Sequence, residues 1–102
     1  MTDEDDARLD ALLDAARTRD GWTRTHPNRL ERDAGGRRAV VALRRTHDDA
    51  WTALWHADGV GGETPLPAYS TAIARERLDG LLDAIDAWLD RRDRRALDRL
   101  QR

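Results

Sequence analysis

Arg38-Ala39-Val40-Val41-Ala42-Leu43-Arg44 and Ala50-Trp51-Thr52-Ala53-Leu54-Trp55-His56 are the two stretches on which the fold turns. Each is short, apolar and enriched in β-branched or aromatic residues. Turn formers bound them: Asp33-Ala34-Gly35-Gly36 before the first, and Thr46-His47-Asp48-Asp49 between the two. Such segments read as strands, and so close a pair reads as a hairpin. Residues 22–32 supply a weaker third strand, because Pro27 cannot donate a ladder hydrogen bond and favours an edge or a bulge. The expectation is a three-stranded antiparallel meander over 22–57.

Helical patterns lie on both sides. Leu9, Leu12, Leu13 and Ala16 recur at i, i+3, i+4 and i+7, which predicts an acidic N-terminal helix over 3–19 within residues 1–20. Thr2 and Asp5 resemble a capping box at its start, and Gly21 stands where a helix stops. Residues 58–69 read as a Gly/Pro loop with room for a short fourth strand. Ser70 or Thr71 then caps a C-terminal helical region, 70–102. There Leu78, Leu82, Ile85 and Leu89, flanked by Leu81 and Trp88, form one apolar stripe. Gly80 interrupts that pattern and is read as a point of close approach. Arg92 and Arg99 fall where the stripe should continue, so the helix is expected to break near 91–93. Asp93 would cap a short second piece carrying Ala96, Leu97 and Leu100. The predicted architecture is α+β, in the order α-β-β-β-α, as a single domain over 1–102.

Composition narrows the function classes. There is no Cys, which excludes disulfides, thiol catalysis and thiolate metal sites. The acidic start has no leader-like basic and apolar regions, and no apolar run could cross a bilayer. A cytoplasmic protein without membrane contact is expected. All 18 basic residues are Arg, and Asp far outnumbers Glu. This usage resembles that of halophilic archaeal proteins from GC-rich genomes, although the net charge of −2 is far less acidic than theirs. The resemblance concerns the host and implies no activity. Charge is segregated: residues 1–20 are acidic and 91–102 basic, so pairing between the two ends is the simplest expectation.

Both faces of the meander carry apolar side chains. Trp51, Ala53 and Trp55 share one face of their strand with Leu54 opposite; Ala39, Val41 and Leu43 share a face of theirs with Val40 and Ala42 opposite. Two helices can cover one face of such a sheet but hardly two, so a homodimer is predicted.

Chemistry is sparsely represented. His26, His47 and His56 lack metal-ligand spacing, and only His26 with His56 could meet, if their strands adjoin. Ser70, the sole serine, is better placed as a cap than as a nucleophile. Gly59-Val60-Gly61-Gly62 lacks the Lys-Ser/Thr of a phosphate loop. Asp79, Asp83, Asp86 and Asp90 form a stripe where solvated charge belongs on an amphipathic helix. The sequence thus nominates no catalytic, cofactor-binding or metal-binding residue. Arg91, Arg92, Arg94, Arg95 and Arg99 are the candidate contacts to nucleic acid or a protein partner. A pI near 5.9 argues against nucleic acid. A non-enzymatic, dimeric interaction or regulatory module is expected, with nucleic-acid association through the Arg-rich C-terminus as the alternative.

Overall fold

The computed structural model describes residues 3–17, 19–46 and 50–100. Helix α1 (Asp3–Leu13) tightens into a 3₁₀ turn (Asp14–Ala16). Strands β1 (Trp22–His26), β2 (Arg29–Ala34), β3 (Arg37–Arg45), β4 (Trp51–Ala57) and β5 (Val60–Leu66) follow, then helices α2 (Thr71–Arg91) and α3 (Arg94–Leu100). The strands form one antiparallel sheet in sequence order. The α+β class and the meander hold, but the sheet has five strands rather than three. Two local causes account for the difference. Segment 22–32 folds back on itself at Pro27-Asn28, with a bulge between Arg24 and His26. Residues 60–66, expected as loop, pair with β4 from Val60↔Ala57 to Leu66↔Trp51.

That last hairpin is decided by two residues. Asp58 (φ 47°) and Gly59 (φ 87°) both lie in the left-handed region, which a two-residue turn matched to strand twist requires. The adjoining Gly62 accepts the Trp55 indole: a Cβ there would lie 3.0 Å from the ring. Glycine therefore belongs to this strand because a larger residue would collide with the tryptophan.

Register explains the core. Leu43↔Ala53, Val41↔Trp55 and Ala39↔Ala57 place the larger apolar sets of β3 and β4 on the same face. Leu30 adjoins them from β2 and Leu66 from β5, and all three helices pack onto this face through Leu9, Leu12, Leu78, Leu82, Ile85 and Leu97. The expected helix 3–19 is shorter than foreseen, since its last turn is 3₁₀; Thr2 lies outside the described residues. Ser70 caps α2 as expected, accepting from Ile73 N–H at 3.2 Å. The break is also where the stripe faltered: Arg92 adopts φ 56° and ends α2. Asp93 Oδ1 then accepts from Arg95 N–H at the start of α3. No helix among the described residues is long and apolar enough to cross a membrane.

Candidate functional site

The acidic stripe of α2 is not a solvated face. Arg19 donates to Asp79 (2.9 Å), Asp83 (2.5 Å) and Asp86 (3.1 Å). Arg32 donates to Asp86 (2.5 Å) and Asp90 (2.7 Å). Trp22 Nε1–H completes the set, reaching Asp86 Oδ1 at 2.9 Å. Burial opposes the charge on Arg19, but its hydrogen bonds to Asp83 and Asp79, with their negative charge, outweigh it and raise its pKa. Arg32 behaves alike, with burial overcome by Asp90 and Asp86. The stripe fastens α2 to β1, β2 and the segment that leads into β1. Its signal was present in the sequence: Arg32 alternates with Leu30 and Ala34, an inward position where an arginine needs acidic partners.

The other candidates disperse. His26 and His56 stand on β1 and β4, with β2 and β3 between them, about 14 Å apart at ordinary strand spacing. His47 lies outside the described residues. Among the described residues, no group of His, Asp or Glu is placed to hold a metal ion. Gly80 is not a close-approach point, since a Cβ there would meet nothing within 4 Å. The expected pairing of the two chain ends falls largely on Asp3 to Asp6, whose side chains lie outside the described residues. Of the later acids in that segment, Asp10 binds Arg24 at 2.8 Å, and Asp14 lies 3.4 Å from Arg17.

The five nominated arginines separate into two groups. Arg92 is structural, bonded to Asp58 at 2.5 Å and lying 4.8 Å from the Trp88 ring centroid. Arg91, Arg94, Arg95 and Arg99 are exposed and form no ion pair among the described residues. Arg91 and Arg99, with Arg77, rim a groove of about 750 Å³ between β5 and the α2–α3 corner.

The remaining candidate surface is the sheet face turned away from the helices. Val40, Ala42 and Leu54 sit half-buried at its centre. Around them stand Arg29, Glu31 and Arg38 on one flank and Arg44 with Glu63 on the other. Thr25 Oγ1 donates to Glu31 at 2.7 Å. That hydrogen bond, aided by Arg29, Arg38 and His26, lowers the Glu31 pKa against the desolvation that opposes it. The second face is therefore a narrow apolar strip in a mixed-charge field, less apolar than the sequence suggests. Compared with protein-family models, with curated proteins and with solved structures, the chain matches none.

Proposed function

We propose that the protein is a small non-enzymatic interaction module that works as a homodimer joined through the open face of its sheet. One observation carries this reading: α1, α2 and α3 all join the core on one side of the sheet, leaving Val40, Ala42 and Leu54 half-buried on the other. Five strands of roughly seven residues give a face on the order of 600 Å², or about 1,200 Å² over two copies, the lower end of a specific interface. Bases (Arg29, Arg38, Arg44) and acids (Glu31, Asp33, Glu63) balance across the face. A two-fold axis can pair such a mixed set with itself, whereas nucleic acid favours a surface of one sign.

Light scattering over a concentration series tests the proposal. The protein should approach dimer mass as concentration rises. Leu54→Arg, which sets like charges against each other near the axis, should hold it at monomer mass with unchanged circular dichroism. A monomer mass for the unaltered protein at every concentration overturns the reading. The alternative, nucleic-acid association, is supported by the unpartnered arginines on α2 and α3.

A further inference from the structure

We propose that the groove between β5 and the α2–α3 corner docks an acidic amphipathic helix of a partner protein. The inference does not rest on the sheet dimer. Charge supplies its first support. Each described arginine preceding α2 is engaged in some interaction, from Arg8 on the Ala68 carbonyl to Arg44 near Glu63 and Arg45. By contrast Arg75, Arg77, Arg91, Arg94, Arg95 and Arg99 have no side-chain partner among the described residues, and all lie on α2 and α3. The acids beside the groove are already engaged: Asp83 with Arg19, and Asp93 as the cap of α3. Three arginines (Arg77, Arg91, Arg99) against two aspartates (Asp83, Asp93) leave the groove lining with a net charge of +1.

Shape supplies the second. Arg77, Gly80, Ala84, Ala87 and Arg91 follow one another at i, i+3, i+7, i+10 and i+14, a single line along α2. The two arginines are about 21 Å apart along the axis, the length of a helix of about 15 residues. Between them Ala84 and Ala87 are small and buried, while Gly80 is exposed and the space above it is empty. A ridge of apolar side chains from another helix fits such a floor at close axial distance, with its carboxylates falling on the arginine rim. Thr64 Oγ1 in the groove wall is buried and lacks a hydrogen-bond partner, so a polar side chain on the incoming helix would satisfy it. Competing occupants fit less well. Pro65 removes an N–H from the β5 edge, which disfavours an added strand. No aromatic ring lines the groove to stack on a base.

The test is fluorescence anisotropy with a labelled synthetic helix of about 15 residues, leucine on one face and glutamate on its flanks. Its glutamine analogue and a labelled DNA duplex are run beside it against the full chain. The acidic helix should bind, and the glutamine analogue should bind at least about tenfold more weakly. Arg77→Glu with Arg91→Glu should weaken the acidic helix by about tenfold or more and flatten its salt dependence. Gly80→Leu should block the floor while preserving α2, because leucine is the better helix former and meets no neighbour. Equal binding of the two peptides, or binding unchanged by Gly80→Leu, overturns the proposal. So does a duplex that binds more tightly than the acidic helix.

Discussion

Asp58 and Arg92 bind each other at 2.5 Å, and they are the two non-glycine residues with positive φ among those described. One forms the β4–β5 turn and the other ends α2. The side chains that lock these two unfavourable backbone conformations are thus the same ones that join them. Neighbouring bonds reinforce the clasp. Trp88 Nε1–H donates to the Ala57 carbonyl at 3.0 Å, and Arg37 Nη1 donates to that of Leu89 at 2.9 Å.

Asp58→Ala should destabilise the protein by about 1–2 kcal/mol, combining the penalty for alanine at positive φ with the lost ion pair. At Arg92 the two effects separate. Arg92→Gly relaxes the backbone and Arg92→Ala does not, so alanine should be the worse substitution by about 1 kcal/mol. Urea unfolding midpoints check both; equal losses for the two Arg92 variants would deny the backbone contribution.

The carboxylates on α2 should differ in importance according to burial. Asp86 is 26% exposed and shared by Arg19, Arg32 and Trp22, whereas Asp83 is 71% exposed. Asp86→Ala should lose about 2 kcal/mol, less than a fully buried pair because water reaches the site. Asp83→Ala should lose under about 0.5 kcal/mol. Thermal unfolding of the two variants ranks them.

Gly80→Ala should raise stability by about 1 kcal/mol, seen as a Tm increase of roughly 4–8 °C in a domain of this size. The position is helical and open, so the added methyl meets no obstacle.

Glu31 gives a pH dependence with a definite sign. Its folded pKa lies below the ordinary 4.5, held there by the Thr25 hydrogen bond, with Arg29 and Arg38 adding to it. Its stabilisation is therefore complete above that value and disappears as pH falls through the folded pKa. Glu31→Gln should lose less stability on acidification below about pH 4.5 than the unaltered protein. Urea midpoints measured across that range provide the comparison.

Much of the architecture was legible because periodicity and caps agreed. The Leu78–Leu89 stripe, the Ser70 cap and the break after Arg91 all lie where local physics places them. What escaped depended on contacts distant in sequence. Glycines at 61 and 62 read as loop until the Trp55 carbonyl is seen beside the first and the Trp55 ring in the space a side chain at the second would take. The Asp79–Asp90 stripe reads as solvated until Arg19 and Arg32 arrive from the far end of the chain. Relative strand register also escaped. It alone decides that the larger apolar sets of β3 and β4 share a face, which narrowed the second face to three modest side chains. The groove rim was half visible: Arg91 and Arg99 stood out as a cluster, but their alignment with Arg77 needed the α2–α3 corner.

The bulge at Thr25 and the proline at position 65 sit on opposite margins of the sheet. Both obstruct lateral growth by hydrogen bonding, so further layers can be added only by stacking. Two molecules stacked in that way would turn their helices outward on either side and leave no bare sheet. Such an assembly would terminate itself at a pair, while the two obstructed edges guard the sheet against lateral, fibril-like growth.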